Sequence, residues 1–292
     1  MTIRQIMQTN QSLETELILG HALRKPKEFL YTHPETELSA KQLETFKALV
    51  ARRKKGEPVA YLLGYKDFFG LRFKVTKDTL IPRPETEWVV ERTIKLCHPK
   101  LDLGSIKMDS GYPSQASGVR NDKKISVLDL GTGSGCIAIS IKMNAPKLTV
   151  TASDISTKAL TIAKQNARNH KVKIVFKKSN LLSELNSEKF DIIIANLPYG
   201  WATWNKTTPE NNLNIKFEPQ LALITKEHGL YLYRQLLQQI SKEKNKQKKV
   251  YLEFDPRQKS RLEKLIKASL PQAKTKFFKD LAKLWRYAEI SI

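Results

Sequence analysis

The segment Val127-Leu128-Asp129-Leu130-Gly131-Thr132-Gly133-Ser134-Gly135 constrains this chain more than any other. A short apolar run meets three alternating glycines, and the helix-like stretch Cys136 to Met143 follows. An apolar run of this length next to turn residues reads as a strand buried on both faces. Glycine lets the backbone turn tightly and approach a ligand where a Cβ would collide. A second strand, Leu148 to Ala152, leads to Asp154, and Ser156 to His170 has the length of a crossover helix. Strand, glycine loop, helix and an acid past the next strand mark a nucleoside-binding crevice. Lys173 to Phe176 reads as a third strand, and Phe190 to Ala195, centred on Ile192-Ile193-Ile194, as a fourth. Gly229 to Ile240 and Ser260 to Ser269 read as helices, Val250 to Phe254 as a strand, and Lys276 to Phe278 and Trp285 to Ile290 as closing strands. The alternation predicts right-handed crossovers and an α/β fold with a parallel sheet.

The N-terminal part has a different period. Leu13, Leu17, Ile18 and His21 to Leu23 follow a three-to-four spacing, as do Leu43, Phe46, Leu49 and Val50. Ser39 sits where a helix start belongs, and Gly56 with Pro58 supplies a stop. A small all-α unit is expected to about residue 64. Phe68 to Val75, alternating about Gly70, reads as a β-hairpin joining it to the sheet. The expected domains are residues 1–75, helical with the hairpin linker, and residues 76–292. Lys100 to Lys124, rich in Ser, Gly, Asp and Lys, reads as an inserted loop. Ser241 to Lys249 is a lysine-rich run read as a helix end or loop.

Composition narrows the classes further. With 292 residues the chain can bury a sizeable core without staples. The two cysteines, Cys97 and Cys136, form no ligand spacing, so neither a disulfide framework nor a metal site is expected. A reducing, cytoplasmic compartment fits this usage. Met1 to Glu14 lacks the apolar core of a secretory signal, and no apolar run is long enough for a membrane span. The net charge of +22 predicts attraction to polyanions, nonspecific or ribosomal, or else a solvated lysine-rich surface.

Two cofactor classes compete for the glycine loop. Dinucleotide sites space their glycines G-x-G-x-x-G and hold a pyrophosphate at the helix N-terminus. Here the spacing is G-x-G-x-G, with Cys136 and Ile137 where the last glycine would stand. S-adenosyl-L-methionine has no phosphate and carries positive charge, which the nearby Asp129 suits better than it suits a pyrophosphate. Asp154 is placed to accept hydrogen bonds from ribose hydroxyls. The fourth strand runs into Asn196-Leu197-Pro198-Tyr199, beyond a strand's carboxyl end, where ligands bind in open α/β sheets. A planar amide or aromatic amine is a poor nucleophile because its nitrogen lone pair is delocalised. Two acceptors, the Asn196 side-chain oxygen and the carbonyl of Leu197, could hold both N–H groups and aim the nitrogen. Pro198 keeps residue 197 extended, and Tyr199 can pack on the flat group. No charged base is needed if alignment and fixed dipoles supply the catalysis.

With these residues in place the sequence resembles the HemK/PrmC family of release factor N5-glutamine methyltransferases. The resemblance is carried by Gly56-Glu57-Pro58-Val59-Ala60-Tyr61, then Gly64, Phe68-Phe69-Gly70-Leu71 and Ile81-Pro82-Arg83-Pro84-Glu85-Thr86-Glu87. Glu218-Pro219, Ala222-Leu223, Gly229-Leu230, Leu252-Glu253 and Lys279-Asp280-Leu281 extend it. It implies an N-terminal helical domain that helps dock the release factor, and a Rossmann-like domain that uses S-adenosyl-L-methionine to methylate the glutamine of Gly-Gly-Gln. Gly131, Thr132, Gly133, Ser134 and Gly135 would form the cofactor loop and Asp154 the ribose acid. Asn180 and Leu181 would flank the adenine, and Asn196 would border the cofactor. Asn196, Leu197, Pro198 and Tyr199 would hold the glutamine, with Asn196, Pro198 and Tyr199 in catalytic positions and Arg83 and Glu85 on the site's floor. Where the family has Asn-Pro-Pro-Tyr this chain has Leu197; Asn180 stands where an Asp is common, and Gly200 where a bulkier aliphatic residue is usual. The other readings are an adenine-N6 methyltransferase acting on DNA or RNA, and a silent methyltransferase-fold binding protein.

Overall fold

The structure, a computed structural model, describes residues 1–9, 11–97, 125–204, 212–243 and 248–292. The insertion expected at 100–124 and residues 244–247 of the lysine-rich run lie outside the described residues. The chain divides into two compact units, Met1–Tyr65 with Thr208–Phe217, and Lys66–Thr207 with Glu218–Ile292.

The smaller unit is helical: α1 (Ile3–Thr9), α2 (Leu13–Leu23), α3 (Lys27–Thr32), α4 (Ala40–Lys54) and α5 (Val59–Leu63). Ser39 starts α4 through a capping box, its hydroxyl accepting from Gln42 N–H while the Gln42 side chain accepts from Ser39 N–H. Gly64, at φ 79°, ends α5 in the left-handed conformation that favours glycine. Ile3, Ile6, Leu19, Leu23, Leu30 and Leu38 form one buried cluster, and Ile18, Leu49 and Leu62 a second. The Arg53 guanidinium makes two 2.8 Å bonds to the Glu14 carboxylate and one to Asn214 Oδ1, which ties the short turn Asn212–Ile215 to α4.

In the larger unit the hairpin comes first, β1 (Tyr65–Phe68) and β2 (Leu71–Lys74). Its two turn residues, Phe69 and Gly70, both have positive φ, as a tight right-twisted hairpin turn requires. The units part between Tyr65 and Lys66, ahead of the expected boundary after residue 75, and the physical reason is packing. Phe68 and Phe73 are buried among Val89, Val90 and Ile137. The buried Asn166 amide accepts from Lys74 N–H and donates to the Lys74 and Ser134 carbonyls, fastening hairpin and glycine loop together.

Seven strands form the main sheet: β3 (Ser126–Leu130), β4 (Thr149–Asp154), β5 (Val175–Lys178), β6 (Ile192–Ala195), β7 (Lys249–Glu253), β8 (Lys274–Lys279) and β9 (Trp285–Ser291). Their order is β5-β4-β3-β6-β7-β9-β8, parallel from β5 to β7 and antiparallel at β9 and β8. The third strand lies later than the expected Lys173 to Phe176. Successive residues feed opposite faces. Val127, Ile192, Ile194 and Tyr251 meet α6 (Glu87–Cys97) and α7 (Cys136–Asn144). Leu128, Ile193, Val250 and Leu252 meet α9 (Tyr231–Ser241) and α10 (Lys259–Ser269). Between them in the chain, α8 (Thr157–Asn169) crosses from β4 to β5. Both faces are covered, which is why these strands read as unbroken apolar runs. Helix α6 had no counterpart in the sequence reading. Chain order reverses between β3 and β6, so the carboxyl ends of those two strands flank a topological switch point.

Candidate active site

Gly131, Gly133 and Gly135 all adopt positive φ (74°, 56° and 83°), but space constrains them differently. A Cβ on Gly131 would come within 3.1 Å of the Leu197 side chain, and one on Gly135 within 3.2 Å of Ala163 Cβ. A Cβ on Gly133 would meet nothing within 4 Å, so the middle of the loop borders open space that a ligand can fill. The loop is closed by Gly131 N–H and Thr132 N–H donating to Ser153 O at 2.8 and 2.9 Å.

Asp129 is turned inward. Its Oδ2 accepts from the Thr132 hydroxyl at 2.5 Å and from Ala138 N–H at 3.2 Å, so it supports the loop and the first turn of α7. Its Oδ1 is buried without a hydrogen-bond partner. Burial pushes this carboxyl up to about 7, against the bonds from Thr132 and Ala138. Asp154 Oδ2 accepts from Gly133 N–H and Oδ1 from Ser156 N–H, and burial raises its carboxyl above the ordinary range. These two acids thus take N–H groups that a pyrophosphate would need. The donor set fits a cationic nucleoside such as S-adenosylmethionine and does not fit a dinucleotide.

Farther along the edge, past β5, Leu181 is buried with φ 52°, an uncommon conformation for leucine, and its carbonyl accepts from the Ser179 hydroxyl at 2.6 Å. Asn180 beside it is exposed. The groups follow the sheet order: Leu181 after β5, Asp154 ending β4, the glycines after β3, Asn196 after β6, Glu253 ending β7.

On the acceptor side, Leu130 pairs with Ala195 and Ala195 with Leu252, so Gly131, Asn196 and Glu253 stand next to one another on adjacent strands. Asn196 Nδ2 donates to the Thr86 hydroxyl at 3.1 Å, and that hydroxyl donates to Glu253 Oε2 at 2.8 Å. Glu253 is buried, and desolvation pushes its carboxyl up to about 7 despite the Thr86 bond and the Arg286 charge. The Tyr233 hydroxyl lies between the Glu253 and Leu197 carbonyls, closer to Glu253 and 3.3 Å from Leu197 O. A phenol has one proton to give, so the Leu197 carbonyl keeps accepting capacity. Leu197 itself points into the core, filling the place of the family's first proline with buried side chain. Gln258 Nε2 donates to Tyr199 O at 2.7 Å, and Gly229 is so close that a Cβ there would fall 1.8 Å from the same oxygen. The missing side chain at Gly200 is explained by the Leu223 carbonyl, which a Cβ there would meet at 2.7 Å, with the Trp204 ring next at 3.1 Å. The Trp204 indole donates to Asp255 at 2.8 Å and stands edge-on to Tyr199.

Arg83 and Glu85 are engaged within the fold. Arg83 pairs with the buried Glu218 at 2.6 Å, and Glu218 also accepts from Ile81 N–H, so the two motif halves of the resemblance bind each other. The Glu85 carbonyl accepts from the Tyr287 hydroxyl at 2.6 Å. Thr86, Tyr233, Glu253 and Gln258 were not singled out as site residues in the sequence, although Thr86 and Glu253 lie within the quoted motifs. Both cysteines are free thiols that burial pushes up, to about 11 for Cys97 and about 12 for Cys136, so neither is a nucleophile at neutral pH. Among the described residues no acid, histidine or cysteine cluster could hold a metal ion, and no helix is long and apolar enough to cross a membrane.

Sheet, glycine loop and acceptor loop together define a methyltransferase-fold domain. The methyltransferase small domain family matches residues 96–209, and the PrmC N-terminal domain family matches residues 3–64. The chain is 34% identical to a release factor glutamine methyltransferase of Enterococcus faecalis, over 86% of this chain and 81% of that protein. A protein of the same name from Streptococcus pneumoniae is 36% identical, over 77% and 71%. This chain belongs to the release factor glutamine methyltransferase (HemK/PrmC) family. A bifunctional methyltransferase of Rickettsia bellii is 35% identical over 85% of this chain, which spans 46% of its length. The solved hMettl16 catalytic domain in complex with MAT2A 3'UTR hairpin 6 shares the fold, with TM-score 0.55, 13% identity and 76% of each chain covered.

Proposed function

We propose that this protein methylates the side-chain nitrogen of the glutamine in the Gly-Gly-Gln tripeptide of peptide chain release factors, in the cytoplasm. One observation carries the reading: the glycine loop and Asn196 follow paired strands and lie so close that a Cβ on Gly131 would come within 3.1 Å of the Leu197 side chain. S-adenosyl-L-methionine supplies a methyl carbon activated by its sulfonium. Gly131 to Gly135 give the close backbone approach, Asp154 takes the ribose hydroxyls, and Leu181 with Asn180 borders the adenine. Asn196 Oδ1 and the Leu197 carbonyl hold the two amide protons, so that the nitrogen faces the crevice. Pro198 keeps that carbonyl in place, and Tyr199 covers the flat face of the carboxamide. Arg83 and Glu85 support the floor, Arg83 through its pair with Glu218.

The net charge of +22 adds attraction to polyanions such as the ribosome. Arg261, Lys264, Lys267, Lys274, Lys276 and Lys279 are exposed on α10 and β8 and are among the basic groups open to such a partner. Mass spectrometry of a release factor co-expressed with this chain tests the reading. One added methyl on the Gly-Gly-Gln glutamine is expected. An unmodified factor, with label from S-adenosylmethionine appearing on nucleic acid instead, would replace it with the adenine reading.

A further inference from the structure

The side chain that holds the acceptor must present oxygen, not nitrogen, to the incoming amide. An Asn amide is nearly symmetric in shape, and only its hydrogen-bond partners decide which end points where. Here the deciding partners lie on the far side of Asn196. Nδ2 is 3.1 Å from the Thr86 hydroxyl, and the same hydroxyl is 2.8 Å from Glu253 Oε2. Thr86 and Glu253 are 2% and 3% exposed, so water does not compete for these bonds.

A threonine hydroxyl has one proton. If that proton goes to the carboxylate oxygen, only a lone pair is left for Asn196, and a lone pair accepts only from N–H. In its ionised form, which can only accept, the Glu253 carboxylate therefore fixes the amide with its nitrogen inward and its oxygen outward, an order that a protonated, donating Glu253 would release. We infer that Glu253, acting through the Thr86 hydroxyl, is the positioning group that turns the Asn196 oxygen toward the acceptor. The inference rests on the reading of Asn196 as the amide holder. Tyr199, Arg286 and Glu85 also act on Glu253, and Tyr233 and Tyr287 feel its charge. The 3.4 Å contact from the Tyr199 hydroxyl to Oε1 joins the substrate-covering ring to the same carboxylate.

Three variants test it: Thr86→Val, which keeps shape and removes the hydroxyl, Thr86→Ser, which keeps the hydroxyl, and Glu253→Gln, whose amide can donate to Thr86 and allows the reversed order. Thr86→Val and Glu253→Gln are expected to lower kcat on release factor about ten- to a hundredfold, the cost of a lost charge-assisted bond. Cofactor affinity by calorimetry should change less than about twofold, and Thr86→Ser should restore most of what Val loses. Full kcat in Thr86→Val, or an equal loss in Thr86→Ser, would overturn the inference. A readout free of substrate separates this outcome from a wrong choice of acceptor. The Asn196 side-chain NH₂ resonance should exchange slowly with solvent in the unmodified chain and quickly in Thr86→Val. If that difference is present while release factor stays unmethylated, the acceptor assignment fails and the positioning role stands. If exchange is equally fast in both, the positioning role fails. Should Thr86→Val not fold, Glu253→Gln carries the same two readouts.

Discussion

Two loops at neighbouring strand ends are held in opposite ways. The glycine loop is built mostly from its own neighbourhood: Asp129 binds Thr132 three positions away and Ala138 nine away, Asp154 binds Gly133 from 21 away, and Asn166 reaches Ser134 from 32 away. The acceptor loop is held by distant parts of the chain. Thr86 reaches Asn196 across 110 positions, Gln258 reaches Tyr199 across 59, and Tyr233 reaches Leu197 across 36. A cofactor of fixed shape suits a site that one segment can encode. Aligning a poor nucleophile requires dipoles fixed from several directions, which only a folded scaffold supplies.

Substitutions on the two sides should therefore separate cleanly. Asn196→Ala should lower methyl transfer by about a hundred- to a thousandfold, the usual cost of one preorganised polar group, and leave cofactor binding intact by calorimetry. Unchanged turnover would remove Asn196 from the chemistry. On the other side, Asp154→Ala should weaken cofactor affinity about tenfold or more while kcat at saturating cofactor stays within a few fold. An unaltered affinity would contradict the ribose assignment and erase the contrast between the loops.

The smallest effect is on stability, and it compares the two buried acids. Asp129 and Glu253 are both pushed up to about 7 by burial, from ordinary values of 3.8 and 4.5. A raised acid binds its proton more tightly in the folded chain. Its stabilising contribution is present below the unfolded value and is lost as pH rises through the folded one. The unmodified chain should therefore lose stability, relative to Asp129→Asn or Glu253→Gln, by on the order of 2 kcal/mol per acid between about pH 5 and about pH 8. Thermal melts across that range measure the difference, and taking it against each variant cancels the general effect of the +22 charge. Parallel melting profiles would mean that neither carboxyl is perturbed.

Much of the fold was legible because buried parallel strands are short apolar runs and their crossovers have helical length. The hairpin, the Ser39 start and the strand at Phe190 to Ala195 all follow from local chemistry. Helix α6 was not legible. It follows Arg83 to Glu87, residues read for their place in a motif, and its apolar positions Val89, Val90 and Ile94 gain meaning only against the sheet face they cover. Asp129 shows the same limit in the site: the sequence placed an acid beside the loop, but burial turned it inward as a support.

What this sequence determined by itself is the glycine loop: three glycines that need positive φ and an acid one strand away, bonded mainly between adjoining elements. What only the tertiary structure decided is the hold on the loop from Asn196 to Tyr199. Gly229 is a glycine because Tyr199 O passes where its Cβ would be, and Gly200 leaves room for the Leu223 carbonyl and the Trp204 ring. Thr86 and Glu253 matter because strand order brings them to Asn196. Local patterns report the backbone's own preferences, whereas these contacts exist only after the sheet has brought distant segments within hydrogen-bonding range.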